Sequence, residues 1–251
     1  MQNDNSVICT TYFSIKNHPN DPNDNAVSGR QSDGRVLQND IKYIEPWYNS
    51  VKSLGLNGRV FYDNLSEDFI NTYQTDLIKF IKVKTSQYSN NDWRFFVYRD
   101  YFRENIFSSI FLTDGSDVTV TKNPSDTIKN YPYIDYFVCK DSIQLGNFPY
   151  INIHQQAKWE NISWFDKNKN ILPLINMGVI GGSYQNMVEF LENFCQTRIA
   201  LGNPEFNSDM WIGQYVFRYK LSHKNLLIGE PFTSKFKQYE HDRKDVFFIH
   251  K

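Results

Sequence analysis

The stretch Ile110-Phe111-Leu112-Thr113-Asp114-Gly115-Ser116-Asp117-Val118-Thr119-Val120 decides how this chain is read. An apolar run enters it, two carboxylates flank a Gly-Ser turn, and a β-branched run leaves it. The pattern predicts a buried strand that delivers two acids to its C-terminal mouth, then a second short strand. Two carboxylates three residues apart do not both stay ionised cheaply in a half-buried cleft. A divalent cation would resolve that repulsion. Asp-Gly-Ser-Asp is also ordinary turn chemistry, so the pair needs partners from elsewhere in the chain to become a site.

Upstream, Val7 to Phe13 reads as a first buried strand, followed by a polar loop from Asn17 to about Asp40. Ile44 to Leu54 has helical spacing, with Pro46 near its first turn and Gly55 near its end. Gly58 to Asp63 is a strand, Ser66 to Tyr73 a short helix and Leu77 to Val83 a third strand. Asn91 to Asn105 is a long aromatic helix, capped by Asn90 or Asn91. The order β-α-β-α-β-α-β predicts an α/β fold with a mostly parallel central sheet and helices on both faces. Ligands in such sheets sit beyond the C-terminal ends of the strands, and Asp114 and Asp117 lie at that edge.

Downstream, Tyr136 to Cys139 is a strand, and His154 to Asn170 is irregular, polar and aromatic. Ile175 to Gly182 is an apolar strand ending in two glycines. Ser183 caps a helix from Tyr184 to about Ile199, and Asn207-Ser208-Asp209 caps another from Met210 to about Lys220. The chain closes on Asp245 to Lys251, in which a strand through Phe247, Phe248 and Ile249 ends in the His250 imidazole next to Lys251. There is no internal repeat. We read one domain, residues 1–251, with a nucleotide-binding half (1–124) and a sugar and acceptor half (125–251).

Composition bounds the function. Of 251 residues, 40% are hydrophobic, enough for a sizeable core, and 16% are aromatic, as in chains that line sugar or nucleotide clefts or that come from AT-rich genomes. A net charge of −1 leaves no basic excess for a nucleic-acid backbone or an anionic membrane. Cys9, Cys139 and Cys195 are far apart, each in an apolar run, and read as small buried hydrophobes. No signal peptide or membrane span is visible, so a soluble, cytoplasmic protein is expected. The Asn64 and Asn161 sequons are then chance matches.

Three more features carry chemistry. Arg94 and Tyr98 share a helix face, suited to a diphosphate or a base, or to core packing. In Asn176-Met177-Gly178-Val179-Ile180-Gly181-Gly182 the glycines allow close approach to backbone, and Asn176 offers an amide to a hydroxyl. That GxxGG pattern lacks the spacing of a dinucleotide loop. Finally His250 is a ligand type for manganese or zinc, beside Lys251, a point charge for phosphate.

In sequence order, these features resemble the GT-A family of nucleotide-sugar-dependent glycosyltransferases. Phe111 to Val118 is similar to its Asp-x-Asp-type metal motif, with a two-residue spacer in place of the commoner single residue. Asn176-Met177-Gly178-Val179 resembles its Asn-x-Gly-Val strand, and Asn207-Ser208-Asp209-Met210 its acidic helix start near the acceptor. The resemblance implies a Mn²⁺ or Mg²⁺ ion on Asp114, Asp117 and His250, and transfer of a hexose or similar sugar from a UDP-sugar to a glycan or other hydroxyl acceptor. It places Thr10, Thr11, Tyr12 and Asp63 at the nucleotide, with Arg94, Tyr98 and Lys251 at the base or diphosphate. Asn176, Gly178, Gly181, Gly182 and Trp211 fall near donor or acceptor sugar, with Trp159 and Trp164 as further stacking platforms. Asp209 becomes the catalytic carboxylate: a general base with inversion, or a stabiliser of the oxocarbenium-like sugar with retention, which the Asn-x-Gly-Val likeness favours. The rival readings are a nucleotidyltransferase of sugar-nucleotide synthesis, which also uses an acid pair and a metal, and an inactive binding module.

Overall fold

The computed structural model describes residues 5–16, 37–147, 166–204, 206–238 and 240–251. Trp159, Trp164 and most of the polar loop after the first strand lie outside them. The strands are β1 (Val7–Tyr12), β2 (Gly58–Tyr62), β3 (Ile78–Lys82), β4 (Ser109–Thr113), β5 (Val118–Val120), β6 (Tyr136–Gln144), β7 (Pro173–Ser183), β8 (Leu226–Ile228) and β9 (Phe248–His250). The α-helices are α1 (Glu45–Ser53), α2 (Glu67–Tyr73), α3 (Asn90–Glu104), α4 (Ser125–Asn130), α5 (Tyr184–Leu201) and α6 (Asp209–Tyr215).

Seven strands form one sheet in the order β3-β2-β1-β4-β7-β6-β8. β7 runs against its neighbours β4 and β6, while the other pairings are parallel. The mostly parallel α/β architecture read from the sequence is therefore observed. Strand order reverses between β1 and β4, and in open α/β sheets ligands bind beyond the C-terminal strand ends at such a point.

Side-chain alternation sorts the core into two layers. Val7, Cys9, Phe61, Ile110, Leu112, Tyr136 and Val138 point to one face, where they meet Phe95, Phe102, Phe190 and Phe194 of α3 and α5. Ile8, Tyr12, Val60, Phe111 and Phe137 point to the other, against Trp47, Val51 and Phe69 of α1 and α2. Both layers draw on residues from either side of position 124. Burial on both faces is why these strands read as continuous apolar runs.

Several boundaries differ from the sequence reading. Ser89, not Asn90 or Asn91, caps α3: its hydroxyl accepts from the Asp92 amide at 3.2 Å. β6 runs on to Gln144, through register shifts against β7. α6 begins at Asp209, and the chain continues from Val216 to Lys220 as a π-helical turn. The Ser208 side chain makes no capping bond; the buried Asp92 carboxylate takes the Ser208 amide instead, at 3.1 Å. The closing strand is Phe248–His250 and ends at the imidazole, as expected.

The chain end folds back across the molecule. β9 pairs antiparallel with β5, setting His250 opposite Val118, and the Lys251 amide donates to the Asp117 carbonyl at 3.0 Å. All three cysteines are free and buried. No helix among the described residues is long and apolar enough to cross a membrane.

Candidate active site

β4 is buried along its whole length and hands the chain over at Asp114. There the Asp114 amide donates to the Gly178 carbonyl at 2.7 Å, extending the β4–β7 pairing by one bond. The turn that follows is held down at Gly115, where a Cβ would fall 2.7 Å from Thr10 Oγ1 and 2.9 Å from Ile44. That close approach brings the Asp117 end of the turn into pairing with the returning chain end.

Asp114, Asp117 and His250 each offer one ligand atom, and these atoms lie within 4.8 Å of one another. His250 Nε2 stands 3.6 Å from Asp117 Oδ2 and 3.8 Å from Asp114 Oδ2. Those gaps are too long for hydrogen bonds. They are close to the roughly 3.0–3.6 Å that separates two ligands each about 2.1 Å from a shared ion. His250 Nε2 and Asp117 Oδ1 are buried without a hydrogen-bond partner, a costly condition that a cation would relieve. The Asp114 and Asp117 side chains are 31% and 17% exposed while His250 is fully buried, so an ion held here keeps an open side. Burial alone would lower the His250 pKa, but the Asp117 charge raises it well above the usual imidazole value.

Gly178 makes this geometry possible. A Cβ there would lie 2.3 Å from His250 Cε1 and 2.6 Å from Asp114 Oδ2. Asn176 fixes the backbone at that point: its Oδ1 accepts from the Gly178 amide at 2.8 Å, and its Nδ2 donates to Asp141 at 3.1 Å. The Asn176 amide is thus engaged within the protein rather than presented to a sugar hydroxyl. His250 is seated by Ser234, whose hydroxyl accepts its amide at 2.9 Å, and by the Phe236 ring at 4.4 Å.

Arg94, on α3, joins this centre to Asp209. Its Nη1 pairs with Asp114 Oδ1, leaving Oδ2 turned to His250. Its Nη2 donates to Asp209 Oδ2 and to the Met177 carbonyl, both at 3.2 Å. Asp209 is 3% exposed, and its Oδ1 has no hydrogen-bond partner. Burial pushes its carboxyl up; Arg94 pulls it back only in part.

Asp209 is positioned from two sides. Gln214 of α6 clamps β7, donating to the Ile175 carbonyl at 2.7 Å and accepting its amide at 3.1 Å. Gly213 lets α6 lie against the strand, since a Cβ there would sit 2.0 Å from Met177 Sδ. The connection from α5 is held by Arg198, fully buried, which pairs with Asp92 at 2.6 Å. Arg198 also donates to the carbonyls of Gly202, Asn203 and Phe206. Sequence reasoning missed Asp92 and Arg198. A signal existed: Arg198 continues the apolar stripe Leu191, Phe194 and Cys195 at helical spacing, and a charge on such a stripe requires a buried partner.

Other expected site residues are placed differently. The Tyr12 ring lies in the core and its hydroxyl is engaged by the Asp40 carbonyl at 2.8 Å. Asp63 uses both oxygens on the Ser14 and Ile15 amides. These two hold the chain after β1. Tyr98 packs edge-on to Phe61 and Phe95. Gly181 and Gly182 serve strand packing, since a Cβ would strike the Phe111 ring at 2.2 Å or the Asp135 carbonyl at 2.8 Å. Trp211 is buried and stacked on Tyr215. Thr10 is buried at the end of β1 with its hydroxyl unpaired, Thr11 is half-buried, and Lys251 is half-buried beside Asp117.

No protein-family profile matches the chain, and no curated protein matches it. Among solved structures it is similar to the crystal structure of a glycosyltransferase involved in the glycosylation of the major capsid of PBCV-1. The two are 13% identical with a TM-score of 0.48, over 98% of this chain and 91% of that one.

Proposed function

We propose that the protein is a metal-dependent glycosyltransferase that moves a hexose or similar sugar from a nucleotide-sugar, a UDP-sugar first among candidates, to a glycan or other hydroxyl acceptor. One observation carries the reading: an open Asp-Asp-His cluster, with Asp117 Oδ1 and His250 Nε2 buried and unpartnered, follows β4 beside the switch point and is linked through Arg94 to the buried Asp209 carboxylate.

Asp114 Oδ2, Asp117 and His250 Nε2 would hold Mn²⁺ or Mg²⁺. A divalent cation there supplies positive charge against the leaving diphosphate. Arg94 orients the two acids it touches and adds a fixed positive charge of its own. Thr11, half-buried at the end of β1, would offer its hydroxyl to the nucleotide with Thr10 buried behind it, and the Lys251 ammonium would offer a charge for phosphate. Asp209 acts on the sugar. With inversion, its burial makes it a better base for the acceptor proton. With retention, which the Asn176 to Val179 likeness favours, its charge stabilises the oxocarbenium-like sugar.

The test is nucleoside diphosphate release from a panel of UDP- and GDP-sugars with Mn²⁺. Release with one donor, lost in Asp117→Ala, is expected. Pyrophosphate release from a nucleoside triphosphate and a sugar phosphate would replace this reading with nucleotidyl transfer. Absence of both, with no metal-dependent nucleotide binding, would sink both readings.

A further inference from the structure

We propose that Cys139 is a positioning residue that holds the proton of His250 on Nδ1 and so keeps Nε2 bare for the cation. The proposal rests on the metal reading above. Cys139 Sγ lies 3.3 Å from His250 Nδ1 and 3.7 Å from the Lys140 carbonyl. The thiol has one hydrogen. Directed at that carbonyl, it leaves a sulfur lone pair facing Nδ1, and only an N–H satisfies a lone pair there. Nε2 then presents its own lone pair to the space shared with Asp114 and Asp117. The opposite arrangement, S–H donating to Nδ1, would put the proton on Nε2 and block the ion.

Two further observations fit this role. The register of β6 against β7 shifts between Val138 and Cys139, and such irregularities re-aim side chains beside active sites. Histidines that bind metals donate their other ring N–H to a neighbouring acceptor, which fixes tautomer and ring orientation. A thiol is a neutral acceptor. It satisfies Nδ1–H without adding a further negative charge beside Asp114 and Asp117.

The experiment is a Mn²⁺ titration of the whole protein, followed by electron paramagnetic resonance of the free ion, for wild type, Cys139→Ser and Cys139→Ala. It is paired with imidazole ¹⁵N–¹H spectra of the Mg²⁺-loaded protein. Cys139→Ala is expected to weaken Mn²⁺ binding by about 10–100-fold, the usual effect of removing such a partner. Cys139→Ser keeps an acceptor and should retain most of the affinity. The wild-type spectra should show the His250 proton on Nδ1. Wild-type affinity in Cys139→Ala, or a proton on Nε2 of the loaded protein, overturns the proposal and leaves the metal site standing. Failure of the wild type itself to bind Mn²⁺ overturns both. If Cys139→Ala does not fold, Cys139→Ser and the spectra decide: loss of affinity in a folded Cys139→Ser also overturns it.

Discussion

The Asp92–Arg198 pair and the Asp114–Asp117–His250 cluster both combine acids with nitrogen-bearing side chains, and they are finished differently. The Asp92–Arg198 pair is fully buried and saturated: Arg198 meets Asp92 and three carbonyls, and Asp92 also accepts the Ser208 amide. The Asp114–Asp117–His250 cluster has half-exposed acids, a buried imidazole and ligand atoms without partners. Burial and charge are common to both, so neither distinguishes a site from a brace. Satisfaction does. A saturated network rigidifies; an unsaturated one with an open side is poised to receive something.

The comparison breaks most visibly at the brace. Arg198→Ala leaves Asp92 buried and unpaired and should cost about 3–5 kcal/mol of stability, read as a fall in the denaturation midpoint with unchanged slope. Asp117→Ala should leave the metal-free protein near wild-type stability. A large loss in Asp117→Ala, or none in Arg198→Ala, would erase the distinction drawn here.

Metal addition probes the other cluster. Mn²⁺ at a hundred times its dissociation constant should raise the unfolding free energy by about 2.7 kcal/mol, measured as a shift in melting temperature. The shift should vanish in Asp117→Ala and on chelation. A smaller effect separates two glycines of one strand. Gly178→Ala and Gly181→Ala should each cost about 1–3 kcal/mol through overpacking. Only Gly178→Ala, whose Cβ meets His250 and Asp114, should also abolish Mn²⁺ binding. The smallest effect belongs to the Arg103–Glu192 pair, made across the surface at 2.8 Å with Arg103 54% exposed. Arg103→Ala should change stability by about 1 kcal/mol or less, which calibrates the buried brace against an exposed pair.

Much of the fold was legible because local rules were strong. Apolar runs with punctuating Gly, Pro and Ser marked the strands of the sheet, and Ser66 and Ser183 do cap α2 and α5. The roles of Tyr12, Asp63 and Gly181 were not legible, because a residue at a strand end can turn its polar atoms inward. Tyr12 and Asp63 close the chain after β1, and Gly181 makes room for Phe111. Cys139 gave no signal, since a thiol in an apolar run looks like any small core residue.

By itself, the sequence determined most of the elements, their order and the two acids after β4, which depend on neighbours a few residues away; α4 and β8 were not legible in it. The grouping of His250 with Asp114 and Asp117 was only implied by the family resemblance; tertiary structure is what brings the three side chains together. His250 arrives from the far end of the chain by pairing with β5, Gly178 makes room for it, and Arg94 ties Asp114 to Asp209. A metal centre depends on distances between side chains remote in sequence, and only the packed sheet sets those distances.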